Sequence, residues 1–473
     1  MLVLGLALRV ALIHCYPIIF GGDSVTRLVY HDRILIAYQL PALQASIWAI
    51  SKISPDPLLI RYWMAVVGAA AGVGFYYLAQ DLVGRRWAMP AALLFVSNPF
   101  VLAQSTVPYQ EILMLGALCF AFHFFFAERW LAASLSLGLA CLTRYEAWAA
   151  CPVLAVAYVW GRGVGTGWKA TGWKAGVTFG WAPLVWMACN AGLSPAGTYV
   201  LEAPLTLGRL HRWAYLGWIT VKFTPAPVLA LAVVGLWRVW KQGLLASPRL
   251  RVLAVFVALF LAAVLFSAHG ERQDPERWVT AREAHLPIWA VTLLAGLGLP
   301  RWPRLAPYAA AAGMIWGVSG AARYMARETS EPRVVLSYSL AQYLDRTVPA
   351  GERALVLSPS IPAERVQAFL ERTGARGRGV LERFAAAPPD FGRTLVHARA
   401  SRPRLVGLVN PAMSASARAA QLAAGVPEWI VVWSDFRAGD PDETKFEAEA
   451  RASGPPVEVL RAGPLSAEVY RTR

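Results

Sequence analysis

The sequence predicts a mainly α, polytopic bundle of about eleven membrane-spanning helices, followed by a small C-terminal α/β domain. Three observations predict it. Of the 473 residues, 57% are hydrophobic and only 16% are charged, whereas soluble globular chains sit near 45–50% and about 25%. Apolar runs recur at lengths close to the roughly 20 residues that cross the hydrocarbon of a bilayer. From about residue 323 no run is long enough to span, and β-like runs alternate with helical patterns instead. The 20 tryptophans fit the same picture, because Trp and Tyr collect at membrane interfaces.

The first span reads as 1–20, interrupted by Arg9 and His14. It starts without a basic n-region, and no small-residue cleavage site precedes Gly21, so a cleaved signal is not the expected reading. Gly21-Gly22-Asp23-Ser24 follows, where two glycines loosen the backbone at the end of an apolar run. Two readings stand for Asp23. It caps a helix that begins at Ser24 or Val25, or it is a functional carboxylate at the membrane surface, where an unneeded charge is costly. The link 21–61 reads as amphipathic pieces at the interface: Val25, Leu28, Val29 and Asp32, then an apolar stretch from Ile34 to Ile50 broken by Pro41. Further spans are expected at 62–83, 88–105, 109–127, 130–143, 147–160, 174–190, 216–237, 251–268, 286–300 and 305–322.

The links alternate in charge. Arg85, Arg86, Arg129, Arg162, Lys169, Lys174, Arg238, Lys241, Arg249, Arg251, Arg301 and Arg304 fill one set, with Glu128 its one acid. The positive-inside rule makes that set cytoplasmic. Asp23, Asp32, Asp56, Glu111, Glu146, Glu202, Glu271, Asp274, Glu276 and Glu283 then face outward, as does the tail. Division is expected between a membrane domain, 1–322, and an extracytoplasmic domain, 323–473. In the tail, strands are expected at 354–358, 404–409 and 429–433, and helices at 334–346, 362–373, 415–424 and 441–452.

Several function classes fall away. The net charge of +16 lies largely in short links, where it sets topology and meets anionic lipid. No aromatic-interleaved RNA motif accompanies it, and no nucleic-acid partner is expected. The tail has neither a GxGxxG opening its first helix nor a P-loop. The five cysteines, Cys15, Cys119, Cys141, Cys151 and Cys189, lie in or beside apolar runs without a CxxC pair. They read as small buried hydrophobes rather than a disulfide or zinc framework. The 7 histidines show no HxxxH or HExxH spacing.

Besides Asp23, three places put ionisable groups beside outward helix ends: Pro108-Tyr109-Gln110-Glu111, Thr143-Arg144-Tyr145-Glu146, and the charged loop 269–285. They supply parts for transfer chemistry at a membrane surface. A carboxylate accepts a proton from an attacking hydroxyl. Arginines hold phosphate or diphosphate with forked hydrogen bonds. Aromatic rings stack on sugars or sit among lipid head groups. Structural readings stand beside these: Arg144 and Glu146 as a local ion pair closing a turn, Glu111 as an acid favoured by a helix N-terminus, and 269–285 as a solvated loop.

Four segments carry a family resemblance. Asp23 follows the first span. Asn98-Pro-Phe-Val-Leu-Ala-Gln-Ser-Thr106 ends the third. Leu139-Ala-Cys-Leu-Thr-Arg-Tyr-Glu-Ala-Trp148 and Arg282-Glu-Ala-His-Leu-Pro-Ile-Trp289, the latter leading into Leu293-Leu-Ala-Gly-Leu-Gly298, complete the set. In order and in side of the membrane, these resemble the GT-C superfamily of glycosyltransferases, which includes the protein O-mannosyltransferases and the lipid A aminoarabinose transferases. The resemblance covers roughly residues 1–322.

What it implies is a multi-pass enzyme of the bacterial inner or plasma membrane. The donor is a polyprenyl-phosphate-linked sugar, and the acceptor is a glycan, lipid or protein on the outer face. Displacement is inverting, with Asp23 as catalytic base. An aspartate, with a pKa of about 4 in peptides, takes the proton late, as the new sugar bond forms. Arg144, Arg272, Arg277 and Arg282 are the candidates to hold the departing phosphate, and Arg27, Glu111, Tyr145 and Glu146 complete the expected substrate-binding set. The family often pairs two acids in the first loop. Here Ser24 stands beside Asp23, so no cofactor is expected and a divalent metal lacks a paired acidic motif. Two other classes compete: a transporter or lipid flippase, which calls for internal repeats or helices broken at the midplane, and a non-catalytic scaffold whose outward domain binds a partner.

Overall fold

In the computed structural model, residues 2–32, 34, 40–161, 168–190, 210–266, 284–349, 352–357, 394, 404–407, 423, 425–436 and 441–472 are described. The apolar runs fold as helices. In chain order they are α1 (Leu2–Cys15), α2 (Gly22–Val29), α3 (Pro41–Ser51), α4 (Pro57–Val83), α5 (Arg85–Val96), α6 (Pro99–Gln104), α7 (Gln110–Phe126), α8 (Trp130–Cys141), α9 (Ala150–Gly161) and α10 (Trp168–Asn190). The series continues with α11 (Leu210–Phe223), α12 (Ala226–Lys241), α13 (Pro248–Phe266), α14 (His285–Gly298), α15 (Ala306–Thr329) and α16 (Pro332–Thr347). A last helix, α17 (Pro441–Ala452), follows three strands of the tail.

Two expected spans are broken, each for a local reason. The run 88–105 is split into α5 and α6 at Ser97–Asn98. The Asn98 side chain accepts from Phe100 N and Val101 N at 3.0 and 3.3 Å and so restarts the helix. The run 216–237 is split at Thr224–Pro225, with Pro225 at the N-cap of α12. Proline lacks the N–H that would continue a helix and drives its predecessor out of helical geometry. Among the described residues, α4 is the one helix long and apolar enough to cross a membrane by itself, at 27 residues and a mean hydropathy of 1.6 over its best window. Large apolar side chains nevertheless face outward along most other helices, among them Leu131, Val156, Trp160, Trp173, Leu184, Val233, Trp240, Tyr308 and Ile315. Exposed side chains of this size are ones that lipid accommodates at less cost than water does.

Contacts divide the chain into two units, Met1–Cys15, Gln39–Ser46 and Arg61–Tyr324 in one, and Tyr16–Tyr38, Ile47–Ile60 and Met325–Arg473 in the other. In the first unit, α12 packs along α14, α7 along α8, and α9 along α10. Small residues set the closest approach. A Cβ on Gly235 would land on the carbonyl of Leu294, and one on Gly298 on the carbonyl of Leu231. Close backbone contact of this kind is how helices associate where lipid removes the hydrophobic drive.

The second unit holds a five-stranded sheet built from β1 (Arg353–Leu357), β2 (Arg404–Gly407), β3 (Trp429–Trp433), β4 (Glu458–Ala462) and β5 (Leu465–Arg471). Its order is β2-β1-β3-β5-β4, with β1 parallel to β2 and β3, and an antiparallel hairpin β4–β5 added on the β3 side. Leu336, Leu340 and Leu344 of α16 join a core with the strands, whose central member β3 is buried at every residue. The hairpin carries weak alternation and Gly463 at φ 56°. The three apolar runs of the tail form strands as expected, and the helical patterns at 334–346 and 441–452 form α16 and α17. The patterns at 362–373 and 415–424, and the loops 191–215 and 269–285 through Glu283, fall outside the described residues apart from Leu210–Tyr215, Ala423 and Ala284–His285.

Candidate functional site: a forked arginine between two glutamates

Glu111 lies in the first turn of α7, where an acid complements the helix N-terminus. It is 1% exposed. Burial of that degree demands a partner, and the partner comes from the turn between α8 and α9. There Arg144 stands in extended conformation before a short 3-10 helix, Tyr145–Ala149. Arg144 Nη1 donates to Glu111 Oε1 at 2.6 Å. Its Nε donates to both carboxylate oxygens of Glu146, at 3.0 and 2.9 Å, and Nη2 reaches the same carboxylate. One guanidinium thus faces two carboxylates. Both structural readings of these residues hold, since Glu111 opens a helix and Arg144 and Glu146 close a turn. The contact that joins the two, across 33 residues of chain, is what sequence spacing does not reveal.

Aromatic groups fix the turn. The Tyr145 hydroxyl accepts from Trp186 Nε1 at 3.3 Å, and the Tyr145 ring meets Trp148 edge-on with centroids 5.1 Å apart. Trp148 Nε1 donates to the carbonyl of Cys141 at 3.0 Å, and Ala42 N donates to the carbonyl of Leu142 at 2.9 Å. Beside Trp148 an apolar groove of about 340 Å³ opens between α9 and α10, walled by Cys151, Pro152, Ala155, Gly176, Gly180, Pro183 and Leu184. Arg144 is 14% and Glu146 22% exposed at the side chain, against 1% for Glu111. The fork is therefore more open on the Glu146 side than on the Glu111 side.

Asp23 is the second residue of α2, not its cap. Gly21, at φ 80°, makes the turn at the N-cap with no side-chain bond, so the helix starts two residues earlier than a cap at Asp23 requires. The Asp23 side chain lies outside the described structure. Arg27, on the same helix, is 1% exposed. Arg272, Arg277 and Arg282 lie outside the described residues. His285, just beyond them, is buried at the start of α14 with its ring 4.5 Å from that of Phe100. Among the described residues, no group of three or more His, Cys, Asp or Glu is arranged to hold a metal.

Two buried cations were not singled out as site residues. Arg9, fully buried in α1, donates from Nε to Ser105 Oγ at 2.6 Å and from Nη1 to the Gly5 carbonyl at 2.8 Å. Arg61, 2% exposed in α4, donates from Nε to the Thr106 carbonyl at 3.0 Å. They converge on the end of α6, a few residues before Glu111. The signal available for Arg9 was a charge inside an apolar run, which is functional by default in a membrane.

No family model matches the sequence, and no curated protein matches it. Solved structures do. The fold is similar to that of ArnT from Cupriavidus metallidurans bound to undecaprenyl phosphate, with a TM-score of 0.55 and 12% identity over 99% of this chain and 97% of that one. Against the apo state of the same protein the values are 0.57, 13%, 99% and 98%. The archaeal oligosaccharyltransferase AglB from Archaeoglobus fulgidus, in complex with an inhibitory peptide and a dolichol-phosphate, matches at 0.49 and 12%, over 91% of this chain and 68% of that one. ArnT is a GT-C superfamily member. The chain has the GT-C fold, the one its sequence motifs resemble.

Proposed function

We propose that the chain is a multi-pass membrane glycosyltransferase that moves a sugar from a polyprenyl-phosphate donor to an acceptor on the outer face of the membrane, by inverting displacement. The observation that carries the reading is the Arg144 fork. A guanidinium is held open toward one side by a buried glutamate, at outward helix ends, in a fold shared along its whole length with a protein solved with undecaprenyl phosphate. Glu111 orients Arg144 from below. Glu146, more exposed and on the same short turn, is the group that a donor phosphate displaces. The groove beside Trp148 offers the apolar wall that the polyprenyl chain needs.

In the reaction the acceptor hydroxyl or amine attacks the anomeric carbon. Asp23 takes its proton late, and the bond from that carbon to the lipid phosphate breaks. The charge that develops on the departing phosphate is met by Arg144 and by arginines of the loop 269–285. The basic links face the cytoplasm and the residues from 323 onward lie outside it, as an accessory domain. A purified assay with a lipid-linked sugar donor tests this. Asp23→Asn is expected to abolish transfer, by at least about 100-fold, while expression and membrane insertion are unchanged. Wild-type turnover by that variant would remove Asp23 from the mechanism.

A further inference from the structure

We propose that Cys141 and Cys151 form a reversible disulfide that latches the turn carrying Arg144 and Glu146. No CxxC spacing announces the pair, and in the sequence the two read as small buried hydrophobes. The fold brings them together because Cys141 ends α8 while Cys151 is the second residue of α9. Their sulfurs are 3.5 Å apart. A disulfide holds its sulfurs at about 2.05 Å, so closure asks for a movement of about 1.5 Å. The backbone already keeps the two ends in register. Arg144 N donates to the Ala140 carbonyl at 3.0 Å, and Trp148 Nε1 ties the middle of the turn to Cys141.

The thiols differ in access. Cys141 is fully buried, whereas Cys151 is 9% exposed and lies on the wall of the apolar groove. An oxidant entering the groove meets Cys151 first. The co-reactant is a small-molecule or protein-borne disulfide, the class of oxidant that forms disulfides outside the cytoplasm. Cys151 gives its proton to water and its thiolate attacks one sulfur of that disulfide. The other sulfur leaves as a thiolate and takes up a proton. Cys141, deprotonated in turn, attacks the Cys151 sulfur of the mixed disulfide, and the second external thiol departs. Two cysteine thiols are oxidised and one external disulfide is reduced to two thiols.

Closure fixes the ends of the segment that carries Arg144, Tyr145, Glu146 and Trp148. On the reading that Arg144 exchanges Glu146 for a donor phosphate, the latched turn resists that exchange and the donor is held less well. This consequence, like the placement of the turn on the oxidising side of the membrane, rests on the proposed function; the ability of the two sulfurs to join does not.

The test uses the full chain in lipid nanodiscs, exposed to oxidised glutathione, quenched with an alkylating reagent and mapped by mass spectrometry. Cys15 and Cys189, both exposed, report that the oxidant acted. The expected result is a Cys141–Cys151 cross-link that disappears with dithiothreitol, and a glutathione adduct on Cys151 in the Cys141→Ser variant. Recovery of Cys141 and Cys151 both as free thiols, while Cys15 and Cys189 carry glutathione, overturns the proposal. Kinetics then separate the two readings. The oxidised chain is expected to show a donor KM raised about tenfold, the scale of a misplaced positioning group. Reductant should restore it, and the double variant Cys141→Ser/Cys151→Ser should not respond to the oxidant. A cross-link with unchanged KM overturns the latch. A cross-link in a chain that transfers no sugar in either redox state supports the disulfide and overturns the transferase reading.

Discussion

Arg144 does something that a lysine does not. Its Nε and Nη2 engage one carboxylate side by side while Nη1 reaches a second. A lysine ammonium is a point charge without that planar fork. Arg144→Lys is therefore expected to keep the fold and lose donor binding, raising the donor KM by about tenfold or more, the cost of roughly one charge-assisted hydrogen bond. Glu146→Gln acts in the opposite sense, because it weakens the group that competes with the phosphate and should lower that KM. Steady-state kinetics against donor concentration check both, and an unchanged KM in both would end the phosphate role of Arg144. At this scale the sequence showed the residue types but not their partners. Thr143-Arg144-Tyr145-Glu146 and Glu111 could be picked out because charges are scarce in an apolar chain. Their union depends on how α7 and α8 pack, and no local spacing encodes that. Arg61 and the sulfur contact of Cys141 with Cys151 stayed hidden for the same reason.

At the scale of elements, the apolar runs located most of the described helices, and the breaks fall where one residue outweighs the run. Asn98 restarts a helix inside 88–105, and Pro225 stops one inside 216–237. In the tail, β1, β2 and β3 announced themselves as continuous apolar runs because they are the parallel strands. The hairpin β4–β5 has no continuous apolar run to mark it, since Glu458, Arg461, Glu468 and Arg471 interrupt both strands and its edge strand is only partly buried. Glycine in the helices has meaning that hydropathy does not show. Gly298 lets α14 touch α12, and a methyl group there would land on the Leu231 carbonyl. Gly298→Ala is expected to cost about 1–3 kcal/mol, as overpacking does, seen as a lower Tm in detergent. Gly172→Ala is the matched control, because a Cβ at Gly172 meets nothing within 4 Å. Equal Tm values for the two variants would mean that the α12–α14 contact is not tight.

For the whole molecule, the proposed topology rests on the charge of the links more than on helix length. Among the described helices α4 alone is long and apolar enough to cross a membrane, while α5, α6, α11 and α12 are pieces of longer apolar runs interrupted by a cap or a proline. Broken helices are tolerated at membrane depth where protein re-satisfies the backbone, and the Asn98 side chain does this twice over, accepting from Phe100 N and Val101 N and donating from Nδ2 to the Phe223 carbonyl at 3.1 Å. The outward-facing tryptophans and leucines remain consistent with lipid on that surface. Where Trp87, Trp237 and Trp240 sit near the basic links, Arg86, Arg301 and Lys241 lie over their rings at 4.9, 5.8 and 4.5 Å. Amphipathic anchors of this kind favour the headgroup level. The proposed topology predicts an asymmetry that single cysteines can read. With Cys15 and Cys189 replaced by serine, a cysteine at exposed Ser453 should react with a membrane-impermeant thiol reagent in intact cells. A cysteine at exposed Gln242, in the basic link after α12, should react only after the membrane is opened. Labelling of Gln242→Cys in intact cells, with Ser453→Cys protected, would invert the molecule, place Arg144 and Asp23 on the cytoplasmic side, and so remove the outer-face acceptor from the mechanism.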